Sequence, residues 1–266
     1  MTTSMFIPRS GQGMNIKRES PIDDRGKKML SDIGINYAIL PREAKSVQLL
    51  ILNRVYDGIG VYNKNGGMEF LSNQLTHDLY DLRSSVRDQA LQKKHEELRR
   101  SIKTMRRPEQ KRLRELLEQE DNALQCADTS LPISSTVTLN YPGVLFFPVR
   151  RNTKSEACCL FADFLDYLSY QQMLKSGQDK NLPSGCDCIV INHACNFIPA
   201  MLDSEEYNLI YCAFPNTAAG KVMEATVISR NIKRCKSLRN LYEGYRNLYG
   251  YIHQTQITSP AYENQM

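Results

Sequence analysis

The sequence predicts an α/β fold, a parallel sheet flanked by helices, preceded by a small β-hairpin unit and a helical-hairpin insertion. Three observations predict it. From Ala157 to His253, short apolar runs alternate with helix-length segments, as they do where parallel strands are joined by covering helices. Upstream, two strand-length runs flank the turn signal Asn63-Lys64-Asn65-Gly66-Gly67. Between these regions the apolar period changes to threes and fours, the spacing of an amphipathic helix.

Residues 1–29 open on MTTSMFIPRSGQGMNIKRES, polar and without an apolar core, and read as a disordered arm. Residues 30–74 read as a small α+β unit. Val47–Val55 is a continuous apolar run of strand length. Tyr56–Tyr62 and Met68–Leu71 are two further strands, joined as a hairpin through the Gly-Gly turn.

Residues 75–126 read as a basic helical hairpin. Leu79, Leu82, Val86, Ala90, Leu98, Ile102 and Met105 form the first seam. Arg106-Arg107-Pro108-Glu109 breaks it, with proline suited to the first turn of the next helix and glutamate to its dipole. Leu113, Leu116, Leu117 and Leu124 form the second seam. Between Arg83 and Arg114 stand twelve Lys/Arg and four Asp/Glu, whereas the whole chain carries a net charge of only +5. Such a block either meets phosphates, releasing their counterions, or is an ordinary solvated face.

Residues 127–154 are connector strands, with Val144–Val149 the apolar one. In residues 155–254, strands at Ala157–Phe161, Cys188–Asn192 and Leu209–Phe214 alternate with helices at Leu165–Lys175, Ile198–Leu202 and Ala218–Arg230. Leu248–His253 closes the segment, and residues 255–266 are a tail.

The composition is 41% hydrophobic, ordinary for a chain that buries a core. No apolar run reaches the ~18 residues of a membrane-spanning helix, and the N-terminus lacks the apolar stretch of a secretory signal. The expectation is a cytoplasmic protein without a membrane partner, its eight cysteines reduced. Cys186, Cys188, His193 and Cys195 cluster in CDCIVINHAC. The intervening apolar run reads as a buried strand in which cysteine packs as a small apolar residue, and the spacing is not that of a zinc site. No phosphate loop, nucleophile elbow or zinc-protease helix motif is present.

Three segments carry a resemblance. They are CCLFADFLDYLSY (Cys158–Tyr170), YCAFPNTAAG (Tyr211–Gly220) and YEGYRNLYGY (Tyr242–Tyr251). In order and spacing they resemble the signature segments of a Toprim domain, and the hairpin with its Gly-Gly turn resembles one found upstream in Toprim-like DNA primases of Bacteroides-type mobile elements. The resemblance covers residues 155–254. It implies a Toprim-like domain whose first strand should end in Glu-Gly, where this chain has Ala162-Asp163. The third strand should end in Asp-x-Asp, where this chain has Pro215-Asn216-Thr217. The last segment should read Tyr-x-Gly-Tyr-Lys-Asp, where this chain ends in Arg246-Asn247.

A working site of this family uses a glutamate as general acid/base and aspartates that hold magnesium, a hard cation wanting anionic oxygens. At the corresponding positions Ala162, Pro215, Thr217 and Asn247 supply no carboxylate. The remaining acids nearby, Asp163 and Asp166, are the weak catalytic candidates, and Asp166 also reads as a helix N-terminal charge. No metal site is expected, and magnesium enters only if catalysis survives. The nucleic-acid candidates are Arg99, Arg100, Arg106 and Arg107 on the helical hairpin, with Lys221 and Arg246 at the strand ends, where ligands of open α/β sheets bind.

Taken with the resemblance, these residues imply a catalytically degenerate primase-like protein of a bacterial mobile element, binding DNA or proteins of replication and transfer. One alternative is an active metal-dependent primase- or nuclease-type enzyme. Another is a protein-interaction module or inhibitor that does not bind nucleic acid.

Overall fold

The structure, a computed structural model, describes residues 6–7, 14–51, 54–75, 78, 136–150, 153–177 and 182–253. The chain divides into two compact units. One joins Met1–Asn73 to Pro132–Met266, and the other is Gln74–Leu131. The predicted helical hairpin, with Arg99, Arg100, Arg106 and Arg107, lies outside the described residues apart from Leu75 and Asp78. All that follows concerns the first unit.

That unit is mixed α/β with two sheets. The first has six strands: β1 (Phe6–Ile7), β2 (Met14–Ser20), β3 (Lys45–Ile51), β4 (Arg54–Tyr62), β5 (Met68–Leu71) and β6 (Thr136–Leu139). Their order is β1-β6-β5-β4-β3-β2. All neighbours are antiparallel except β1 and β6. Helix α1 (Asp24–Asp32) packs on β3 and β4 and buries Met29 and Leu30. The second sheet has β7 (Leu145–Phe147), β8 (Ala157–Phe161), β9 (Asp187–Val190), β10 (Leu209–Ala213) and β11 (Cys235–Ser237). Its order is β11-β10-β8-β9-β7, parallel apart from the β7 edge. Its helices are α2 (Phe164–Ser176), α3 (Phe197–Ser204), α4 (Ala218–Arg230) and α5 (Leu248–Ile252).

Both faces of the parallel sheet are covered, and the strand period of two sorts the side chains. Cys159, Phe161, Cys188, Val190 and Ala213 enter one core with α1, α2, β4 and α5. Cys158, Leu160, Ile189, Ile210 and Cys212 enter the other with Ala200 and Met201 of α3 and Val227 of α4. Cys186 and Cys188 are buried as small apolar residues, and burial pushes both thiols up. The two hairpin glycines serve different ends. Gly66 takes φ +76°, whereas a side chain on Gly67 would meet the Tyr141 carbonyl oxygen at 1.9 Å.

The structure corrects the sequence reading in three places. The N-terminal arm, read as residues 1–29, contains strand β2 and the start of helix α1. Asp23 caps that helix, accepting from the amides of Arg25 and Gly26. The single run Val47–Val55 divides, with Ile51 of β3 paired to Arg54 of β4. The small hairpin unit and the parallel-sheet domain, expected as separate, share one compact unit.

Candidate functional site

The carboxyl ends of β8, β9 and β10 lie side by side, and the three signature-like segments meet there. Asp163 follows β8 and caps α2, its Oδ1 accepting from the Leu165 amide at 2.8 Å. The Phe164 amide donates to Oδ1 of Asn192 after β9, at 2.9 Å. Asn192 holds φ at +55°, which suits asparagine better than most side chains. After β10, buried Pro215 leads into Thr217, whose hydroxyl accepts from the Gly220 amide at 3.1 Å and caps α4. Gly220 is needed here because a Cβ would sit 2.1 Å from the Pro215 carbonyl oxygen.

Asn216 fastens this loop to the last segment. Its backbone amide donates to the Arg246 carbonyl at 2.7 Å, and its Nδ2 donates to the carbonyls of Tyr242 and Tyr245 at 3.1 and 2.9 Å. Tyr242 donates in return to the Phe214 carbonyl at 2.8 Å. Asn247 caps α5 through the Gly250 amide, 3.0 Å away, and its side chain also donates to Asp166. The Tyr249 amide donates to Asp166 Oδ1 at 3.0 Å.

Asp166 is 1% exposed, so it is not the solvated helix-terminal charge that its position suggests. Burial first, and then the neighbouring Asp163 carboxylate, push its carboxyl up to about 8. The Tyr249 amide, the Asn247 side chain and Arg246 oppose the rise without cancelling it. The structure thus brings together Asp163, Asp166, Arg246 and Asn247, and ties Pro215 and Thr217 to them through Asn216. Lys221 is exposed on the first turn of α4, and Arg246 is exposed on its loop.

Chemically, the cluster has a half-buried carboxylate, a carboxyl that holds its proton at neutral pH, and neutral amide and hydroxyl oxygens spent on helix caps. Magnesium prefers several anionic oxygens that are free to turn towards it, a requirement this set does not meet. Among the described residues, no group of three His, Cys, Asp or Glu side chains is arranged to hold a metal ion. No described helix is long and apolar enough to cross a membrane.

Sequence reasoning named Asn216 only within Pro215-Asn216-Thr217 and missed its ties to the last segment, as it missed the Tyr249 amide. Both act on or through backbone groups, which leave no side-chain pattern to read. It also missed a second polar cluster, formed by Glu69 of β5 and His193 after β9. Glu69 is completely buried. It accepts from Thr138 at 2.9 and 3.0 Å, from Thr136 at 3.2 Å and from Asn63 at 3.4 Å. Nε2 of His193 lies 3.0 Å from its Oε2 and also contacts the Thr138 hydroxyl. This cluster joins the two sheets.

No protein-family model matches the chain, and no match was found among curated proteins or solved structures.

Proposed function

We propose that this chain is a catalytically degenerate Toprim-like protein that contacts nucleic-acid phosphate without a metal ion, in the replication, transfer or maintenance of a bacterial mobile element. One observation carries the reading. The three segments resembling the family's signature converge at the carboxyl edge of adjacent parallel strands, and there each ligand position is silent or spent. Ala162 and Pro215 have no side-chain oxygen, Thr217 caps α4, and Asn247 caps α5 while bonding Asp166. Lys221 and Arg246 stand exposed at the same edge, and fewer carboxylates there means less repulsion of phosphate. The basic block around Arg99, Arg100, Arg106 and Arg107 adds charge for a polyanion.

The second reading, a metal-dependent nucleotidyl or phosphodiester transferase, is favoured by the adjacency of Asp163 and Asp166. Fluorescence anisotropy with single- and double-stranded DNA, in magnesium or EDTA over a salt series, separates the two. Metal-free contact predicts binding that weakens steeply with salt, is unchanged by EDTA, and loses several-fold affinity in Lys221→Ala/Arg246→Ala. Binding that requires magnesium and is lost in Asp163→Ala would replace this reading with the enzyme. No binding at low salt would replace it with a protein-interaction module.

A further inference from the structure

The neighbouring strands β10 and β11 carry two thiols in direct contact. Sγ of Cys212 and Sγ of Cys235 are 3.3 Å apart. The strands run parallel with Ile210 opposite Cys235 and Cys212 opposite Ser237, so both cysteines face the same side of the sheet. The register around them is held by the Ile210 amide donating to Arg234 O at 2.7 Å and the Leu238 amide donating to Cys212 O at 2.8 Å. A disulfide needs its sulfurs at about 2.05 Å. Because the pair is diagonal, two residues out of register, closing the gap takes about 1 Å of sulfur movement together with a small shift of the three-residue edge strand β11.

We propose that Cys212 and Cys235 form a reversible redox pair, oxidised to an intramolecular disulfide by a low-molecular-weight disulfide such as oxidised glutathione. The two thiols are unequal in the way such chemistry requires. Cys235 is half-buried and within reach of solvent, whereas Cys212 is completely buried. Either thiol can donate to the other across this contact, which favours a thiolate on the more accessible Cys235, while burial holds the Cys212 thiol up. Glu224 of α4 is the nearby carboxylate and acts against both thiolates. The other buried thiols, Cys158, Cys159, Cys186 and Cys188, are all pushed up by burial, which protects them from attack.

The steps balance. Cys235 gives its proton to solvent, and its thiolate attacks one sulfur of the external disulfide. That S–S bond breaks and releases one small thiolate. Cys212 then gives up its proton, and its sulfur attacks the Cys235 sulfur of the mixed disulfide, expelling the second small thiolate. The protein loses two electrons and two protons, and the external disulfide becomes two thiols.

The bond would close the β10–α4–β11 unit on itself. Because β11 leads directly into the 3-10 turn Arg239–Tyr242 and on to Asn247, oxidation would also pin one arm of the strand-end cluster. The proposal does not depend on nucleic-acid binding.

The test is a thiol map. The native 266-residue chain is equilibrated with mixtures of oxidised and reduced glutathione, quenched in acid and alkylated, and its peptides are identified by mass spectrometry. The expected result is a Cys212–Cys235 cross-linked peptide that disappears as reduced glutathione is added. Cys212→Ser should convert it to a persistent glutathione adduct on Cys235. A persistent adduct on Cys235 in the native chain would overturn the proposal, as would two thiols that remain open to alkylation while exposed Cys195 reacts. The native map decides the matter even if the variant fails to fold.

Discussion

Glu69 and Asp166 are both buried carboxyl groups of the same compact unit, and their surroundings differ. Glu69 is surrounded by hydrogen-bonding partners from three parts of the chain: Asn63 beside the hairpin turn, Thr136 and Thr138 of β6, and His193 after β9. Asp166 has the Tyr249 amide and the Asn247 side chain, but it also has a second carboxylate, Asp163, close by. Burial and repulsion together keep a proton on it up to about pH 8. The first arrangement joins the two sheets. The second lies at the carboxyl ends of the parallel strands and binds the last segment, through Asn247 and the Tyr249 amide, to α2. A carboxyl in the right region of a fold is therefore not a ligand unless its surroundings leave it charged and free.

The comparison breaks most visibly at Glu69. Glu69→Ala leaves two hydroxyls, an amide and an imidazole facing a void, and each buried polar group left unsatisfied costs about 1–3 kcal/mol. Urea unfolding should show that loss, and Glu69→Gln should recover more than half of it.

Asp166 sharpens the contrast through pH. Folding raises its carboxyl from an ordinary 3.8 to about 8, so the folded chain holds a proton that the unfolded chain releases. Its contribution to stability is greatest below the unfolded value, declines between the two values, and is fully lost once pH passes the folded one. Across that window the decline is on the order of a few kcal/mol. Asp166→Asn should flatten this part of the stability–pH curve, as measured by urea midpoints from pH 4.5 to 9.

Smaller effects test the ties around the cluster. Asn216→Ala removes two side-chain bonds to the Tyr242 and Tyr245 carbonyls and should cost about 1–3 kcal/mol, with faster amide exchange in residues 242–249. Thr217→Ala removes only the cap of α4 and should cost about 1 kcal/mol in the same assay.

Much of the parallel-sheet region was legible because its strands are short apolar runs and its helices carry end signals. Ala157–Phe161 and Ala218–Arg230 fall where the pattern places them. Thr217 before α4 and Gly177 after α2, at φ +65°, are the kind of cap residues that mark such ends. Strand β2 was not legible. Its sequence, MNIKRES, is that of an edge strand with polar, largely exposed side chains, and carries no apolar alternation. Strand β11 has three residues, too few for a period to show. At the candidate site, the sequence shows that Ala162, Pro215, Thr217 and Asn247 bring no carboxylate to the strand ends. It does not indicate that Asp166 is sealed, because its partners come from 81 to 83 residues away, Asn247 by a side chain and Tyr249 by a backbone amide. Glu69 and His193, 124 residues apart, were hidden for the same reason.

The central claim is that the strand-end carboxyl is an internal, protonated structural group and not a metal ligand. Carbon-13 NMR titration of the Asp166 carboxyl in the intact folded chain, with and without magnesium, tests it directly. The account predicts a midpoint near 8 that magnesium does not move. A midpoint near the ordinary 3.8, or one that magnesium drives down, would contradict it.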